Sequence, residues 1–289
     1  MNVKKFLVPE GKKFSLKTHK TDFTGDYKDK TAAVADLAEN IQRLAKLQDV
    51  LYAQSVHAIL IIFQAMDAAG KDSAIKHVLS GVNPQGCEVH SFKQPSSEEL
   101  DHDFLWRSMK VLPERGKIGI FNRSYYEEVL VVRVHPEILQ LQQLPDRAKK
   151  EKDIWKERYT QIRNFEEYLS ENGVQVLKFF LNVSKDEQKK RFLKRINEPE
   201  KNWKFSAADV KERAFWDDYM KAYEDALAAT STKNAPWYVV PADNKWFTRA
   251  VISEIICQRL ESLDLKYPEL IEANKQRLLE AKKVLESES

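Results

Sequence analysis

The sequence predicts an α/β domain built on an open parallel sheet, and three observations carry that expectation. Residues 57–63, His-Ala-Ile-Leu-Ile-Ile-Phe, form a short continuous apolar run, as a strand buried on both faces requires. Strand-like and helix-like stretches then alternate down the chain, the order from which parallel sheets are wound. A Gly70-Lys71 pair follows the first strand at once and opens the next helical stretch.

Taken in order, the elements begin with about thirty polar, lysine-rich residues, read as an irregular arm or a strap over the domain. Residues 30–56 carry a helical period, with Ala33, Leu37, Ile41, Leu44, Leu47 and Leu51 recurring at three and four. After the strand at 57–63 and the helix from Lys71, further strands are expected at 87–92, 117–121, 174–183 and 237–240. Helices are expected at 98–111, 147–172, 185–196 and 248–262. The tail, 263–289, reads as a charged, partly exposed helix with a frayed end. The whole, 1–289, is expected to be one domain with an arm and helix at 1–55 and no internal repeat.

Bulk composition narrows the function. The 289 residues carry a net charge of only +3, which implies no whole-molecule field for nucleic acid or for a membrane surface. No apolar run approaches the roughly 20 residues that cross a bilayer. The N-terminus is basic but lacks an apolar signal-peptide core. Cys87 and Cys257 form neither a metal-ligand spacing nor a secreted disulfide framework. The expectation is a cytoplasmic protein with two reduced thiols.

Two constellations carry chemistry. The first is Gln64-Ala-Met-Asp-Ala-Ala-Gly-Lys-Asp72, a loop of small residues between strand and helix. Small side chains let the backbone amides of Ala68, Ala69 and Gly70 converge on phosphate oxygens, and the helix N-terminus adds partial positive charge. Lys71 supplies a mobile cation for a transferring phosphoryl group. Against the general G-x-x-x-x-G-K-[ST] pattern, Ala65 replaces the first glycine and Asp72 the magnesium-binding hydroxyl. Asp67, inside the loop, offers oxygen to a hard cation. The competing reading, a turn aspartate and a solvated lysine, leaves the small-residue loop unexplained.

The second constellation, Asn122-Arg123-Ser-Tyr-Tyr-Glu127, follows the strand at 117–121. In a parallel sheet it emerges on the same edge as the Lys71 loop. Asn122 offers a neutral oxygen to a metal through bound water, and Arg123 can grip phosphate oxygens in bidentate fashion. An Asn-Arg helix cap is the plain alternative. Downstream, residues 185–213 crowd with cations; Arg191, Lys194 and Arg195 share one helical face. A solvated surface is the ordinary reading of such a run, but its place after a strand favours a lid, set at 185–222. Lys76 and Lys93 extend the same cationic track. Glu127 and the apolar residues 129–132 stand where an acceptor base fits, although Glu127 equally suits a helix start.

With both motifs in view, the chain resembles the polyphosphate kinase family 2, in its third class. The likeness runs from about residue 30 to 262, through Met66-Asp-Ala-Ala-Gly-Lys-Asp72, Phe92-Lys-Gln-Pro95, Gly116-Lys-Ile-Gly-Ile-Phe-Asn-Arg-Ser-Tyr-Tyr126, Trp203-Lys-Phe-Ser206 and Pro241-Ala-Asp-Asn-Lys245. It implies a thymidylate-kinase-like P-loop kinase fold, five parallel strands with helices on both faces and a helical lid. It implies transfer of the terminal phosphoryl of inorganic polyphosphate to nucleotides such as AMP and ADP, with Mg²⁺ or Mn²⁺. Asp67, Lys71 and Arg123 are then the catalytic residues, Asp67 and Asn122 the metal ligands, and Arg133 assists Arg123 at the nucleotide. Ala68, Ala69, Gly70, Asp72, Lys76, Lys93, Arg191, Lys194 and Arg195 are the phosphate-binding set. The partners implied are polyphosphate, nucleotides and further copies of the chain, as a dimer or tetramer. An ATP-dependent nucleoside monophosphate kinase and a polyanion-binding module without turnover remain the alternatives.

Overall fold

The computed structural model describes residues 1–27, 29–145 and 154–288. Five parallel strands, β1 (Ala58–Gln64), β2 (Cys87–Ser91), β3 (Ile118–Asn122), β4 (Val174–Asn182) and β5 (Trp237–Pro241), form one sheet in the order β2-β3-β1-β4-β5. Every residue of β1 is buried, as its unbroken apolar run requires of a central strand. Each strand lies within two residues of its expected position.

The helices are α1 (Lys30–Gln54), α2 (Lys71–Val78), α3 (Ile154–Glu171), α4 (Lys185–Asn197), α5 (Ala207–Glu212), α6 (Trp216–Thr230), α7 (Lys245–Glu261) and α8 (Glu272–Ser287), joined by shorter helical turns. α7 packs against α1, α2 and β4, while α3 covers β4 from the other side and packs on α6. The sheet is thus clothed on both faces. The α7 apolar residues Val251, Ile252, Ile255 and Ile256 are fully buried with the sheet's own side chains. No helix among the described residues is long and apolar enough to cross a membrane.

The N-terminal arm is a strap. Leu7 bridges Tyr238, and the Val8 amide donates to the Trp237 carbonyl at 2.9 Å, which covers the free edge of β5. Glu224 on α6 accepts from the Ser15 hydroxyl and the Leu16 amide at 2.9 and 2.7 Å. Four apolar residues of the arm, Phe6, Val8, Phe14 and Leu16, are buried beneath it.

Some elements depart from the expected ones. The helix expected at 98–111 is two single turns, Ser97–Leu100 and Trp106–Met109. The Asp103 carboxylate accepts the Leu105 amide at 2.8 Å, so a local side-chain bond replaces helix continuation. The expected helix at 147–172 is seen as α3; residues 147–153 lie outside the described residues. The segment set at 185–222 as a lid runs through α4, α5 and the turns between, but it ends inside α6. Trp216, Tyr219, Ala222 and Tyr223 of that continuous helix are buried. α8 has the expected charge and no buried residue.

Candidate active site

The loop after β1 turns back on itself through two left-handed residues, Ala68 at φ 59° and Gly70 at φ 115°. Glycine takes this conformation freely; alanine does so at a cost, and such strain gathers at functional sites. Gly70 caps α2 with no side-chain bond to its first turn, so the helix start carries no side-chain cap where it borders the cleft. Lys71 is buried and donates through Nζ to the Ala65 carbonyl at 3.0 Å, spanning its own loop. Burial and then the Arg123 charge lower its pKa, against the pull of Asp67, Glu127 and Asp72.

The second motif arrives where a parallel sheet places it. Phe63 is in register with Asn122, and the Arg123 amide donates to the Phe63 carbonyl at 3.0 Å. Arg123 is left-handed as well, at φ 63°. Its Nη2 lies 2.7 Å from Asp67 Oδ1, and Asn122 Nδ2 donates to Asp72 Oδ1 at 2.8 Å. The two loops are thus joined by two side-chain bonds. Burial alone would depress the Arg123 guanidinium, but Glu127 and Asp67 outweigh it and hold its pKa up. Glu127 sits in the same field: burial raises its carboxyl, opposed by Arg123, Lys71 and a hydrogen bond from Gln64.

Around these loops lies an open cleft of about 600 Å³. Six lysines and three arginines line it against two carboxylates, Asp67 and Asp72. Lys93 comes from the end of β2; Lys194 and Arg195 come from α4; Lys201 and Lys204 come from the turn after it. Arg195 reaches Asp209 of α5 at 3.5 Å. Burial and then the Asp67 charge raise the Asp209 carboxyl, so α5 stands within the field of the loop. The cationic segment therefore forms part of the cleft wall.

The structure separates the expected residues into groups. Asp67, Ala68, Gly70, Lys71, Asp72, Lys93, Asn122, Arg123, Arg191, Lys194 and Arg195 all line one cleft. Ala69 is buried beside it, and Glu127 lies next to Arg123 and Lys71 without lining the cleft. Lys76, exposed on the last turn of α2, does not line it. Arg133 also stands apart: it bonds the Tyr159 hydroxyl at 2.5 Å and Asp225 at 2.7 Å, tying the residues after the second motif to α3 and α6. Arg191 lines the cleft but is engaged inward. Its Nη1 donates to the carbonyls of Ala68 and Ala69 at 3.1 and 2.6 Å, and its Nη2 to those of Ala242 and Asp243 at 2.6 and 3.1 Å. It holds the shape of the loop from behind.

Residues the sequence reading left out also belong here. Lys245, at the start of α7, lines the cleft, and burial followed by Arg191, Arg249 and Lys194 lowers its pKa. Its signal was available, since it follows β5 on the edge where ligands bind. Gln188 Nε2 donates to the Asp67 carbonyl at 2.8 Å, a contact no local pattern discloses.

A raised carboxyl means that the folded chain takes up the Glu127 proton more readily than the unfolded chain. The contribution of this group to stability therefore grows as pH falls through its folded value and is smallest above it. Glu127→Gln is expected to raise the thermal midpoint at neutral pH, measured without substrate or divalent cation. That gain should shrink as the buffer is made acidic; a lower midpoint in the variant would show that the Arg123 and Lys71 pairings outweigh burial.

A strand, a small-residue loop with a buried lysine at a helix start, and a second loop carrying arginine in a cleft lined by further cations define a P-loop phosphotransferase. Comparison with known proteins gives the family. The polyphosphate kinase 2 family model matches residues 27–268. The chain is 54% identical over 285 residues to the ADP-polyphosphate phosphotransferase of Rhodopseudomonas palustris, covering 99% of each. It is 43% identical over 279 residues to the AMP/ADP-polyphosphate phosphotransferase of Meiothermus ruber, covering 96% of this chain and 100% of that one. The crystal structure of polyphosphate kinase 2 from Arthrobacter aurescens TC1 superposes with a TM-score of 0.85 at 40% identity, covering 95% of each chain. The chain belongs to the polyphosphate kinase 2 family.

Proposed function

We propose that this chain transfers the terminal phosphoryl group of inorganic polyphosphate to nucleoside mono- and diphosphates, AMP and ADP among them, and runs in either direction. The observation that carries this reading is the charge of the cleft, six lysines and three arginines facing two carboxylates. Two polyanions must be brought together there, and phosphoryl transfer asks for alignment and charge neutralisation more than for covalent chemistry.

The donor set fits magnesium. Among the described residues no group of three or more His, Cys, Asp or Glu side chains could hold a metal. Mg²⁺ is commonly bound by one or two carboxylates together with substrate phosphates and water, and Asp67, with Asn122 nearby, supplies that share. Mn²⁺ satisfies the same oxygen donors. The ion, when bound, offsets charge on the phosphates. The chain's own part is positional. Lys71 leaves the Ala65 carbonyl for the transferring group, the amides of Ala68 to Gly70 hold its oxygens, and Arg123 exchanges Asp67 for the acceptor phosphate. Lys93, Lys194, Arg195, Lys201, Lys204 and Lys245 hold the rest of the polymer, while Glu127 lies toward the acceptor.

The reading places the protein in the cytoplasm, in keeping with two free cysteines. It also makes the protein a homo-oligomer, since Leu278, Leu279, Val284 and Leu285 of α8 are each more than half exposed and offer an apolar stripe to a second copy. The relatives differ in the acceptors they are named for, ADP in one and AMP or ADP in the other. A luminescent ATP assay with polyphosphate and Mg²⁺, run separately on AMP and ADP, tests the proposal. ATP from both is expected. Product with ADP alone would narrow the acceptor range, and binding of polyphosphate without product would leave only a polyanion-holding module.

A further inference from the structure

Beneath the second motif lies a charged network that phosphoryl transfer itself does not use. Lys178 and Glu166 are 0% and 1% exposed, and their Nζ and Oε2 atoms are 2.5 Å apart. Lys178 stands on β4 level with Ile62, which is itself paired with Phe121 just before Asn122. Its other two donors reach the Tyr126 hydroxyl at 3.0 Å and the Thr230 carbonyl at 2.8 Å. All three ammonium donors are thereby used. The remaining carboxylate oxygen of Glu166 accepts both tyrosine hydroxyls, Tyr125 at 2.8 Å and Tyr126 at 2.9 Å. The Lys178 ammonium also lies 5.4 and 5.3 Å from the ring centroids of Tyr126 and Trp237.

Stability does not call for this arrangement. Well-packed apolar side chains in place of a buried ion pair often leave a protein as stable or more so, whereas removing one partner alone is costly. What the network does hold is specific. Tyr125 and Tyr126 begin the helical turn Tyr125–Val129 directly after Arg123 and Ser124, and both rings are buried. Arg123 itself is left-handed, a conformation that persists only where its surroundings over-determine it. On one side the β1 backbone pins it; on the other Ser124 Oγ accepts the Tyr126 amide at 3.1 Å, and Tyr126 is tied to the buried pair.

We propose that Lys178 and Glu166 are positioning residues for the reaction: through the hydroxyls of Tyr125 and Tyr126 they fix the turn that aims Arg123 at the acceptor phosphate. Neither residue touches a reacting group. The inference rests on the acceptor role proposed for Arg123, and misplacement of such a group by about 1 Å can cost on the order of a hundredfold in rate.

The test is a cycle of variants read as separate constants for nucleotide and polyphosphate. Tyr125→Phe with Tyr126→Phe keeps both rings and removes both tethers. Its kcat/KM for the nucleotide is expected to fall about tenfold or more, with the KM for polyphosphate unmoved. Lys178→Met with Glu166→Leu removes the pair and with it the acceptor of both hydroxyls, and should lower the same constant by a similar factor, whereas Lys178→Met with Glu166→Gln, which keeps one acceptor oxygen, should recover part of that loss. In an Arg123→Ala background the tyrosine changes should add almost nothing, because their effect passes through the missing side chain. If the tyrosine pair unfolds, the single changes serve, with thermal unfolding measured for each. Parental constants in a folded tyrosine variant would overturn the inference, as would the same loss with and without Arg123. If Arg123→Ala alone leaves the nucleotide constants unchanged, the acceptor role fails first and the inference falls with it, a result distinct from a null effect of the tyrosines.

Discussion

Lys71→Ala and Asp67→Ala are each expected to lower kcat by about a hundred- to a thousandfold, the usual loss when a preorganised charge facing the transition state is removed. Folding should barely notice. Lys71 donates to one carbonyl, so its removal leaves Ala65 short of a partner, a cost of about 1–3 kcal/mol. Against that stands the relief of a buried ammonium whose pKa is already depressed. Asp67 and Arg123 form a pair with side chains 26% and 39% exposed, and pairs so placed contribute about 1 kcal/mol or less. Turnover and thermal unfolding therefore separate the catalytic reading from the structural one. Near-parental kcat in both variants would remove the loop from the mechanism, whatever the fold.

The second large effect concerns salt. Lys93, Lys194, Lys201, Lys204 and Lys245 are lysines of the cleft outside the catalytic loop. With Arg195 paired to Asp209, a linear polyanion neutralised by about five cations loses affinity with a log–log slope near −3.5, taking the single-strand coefficient of about −0.7 per phosphate. Raising monovalent salt from about 50 to about 200 mM should thus weaken polyphosphate binding roughly a hundredfold. Ion pairs within the lid, such as Lys194 and Lys201 with Glu198, will reduce the slope somewhat. The measurement is polyphosphate affinity by filter binding or calorimetry across a salt series. A flat response would mean that the chain is held by neutral hydrogen bonds and that the lid cations are ordinary surface. With a single cation, Arg123, proposed for the acceptor phosphate, nucleotide KM should respond far less.

Local chemistry explains what could be read before any fold was known. A seven-residue apolar run is short for a helix and suits a strand buried on both faces, and it became β1, buried throughout. A Gly-Lys after a strand and a loop of small residues suits a helix start open to an anion, and Gly70 and Lys71 sit at such a start. Because parallel strands bring their C-terminal ends to one edge, Asn122 and Arg123 could be set beside that loop from the order of elements alone. The cationic run after β4 was legible too, since its spacing is local.

Long-range contacts decided the rest. Arg191 resembled its neighbours Lys194 and Arg195 in sequence, yet its guanidinium is spent on four carbonyls from two distant loops. Arg133, expected at the nucleotide, joins Asp225 and Tyr159, partners that no local pattern discloses. The pairing of Lys178 with Glu166 looks in sequence like a strand lysine and a surface glutamate, and only packing shows both sealed from water. Period, turn chemistry and strand ends are properties of neighbours along the chain, so the sequence alone determined the sheet, the phosphate loop and the cationic segment. Which charged side chain faces the substrate and which is consumed inside the protein depends on partners distant in sequence, 123 residues away for Arg191 and Ala68. That choice is made by the desolvation of each group in the folded chain, and only the tertiary structure reveals it.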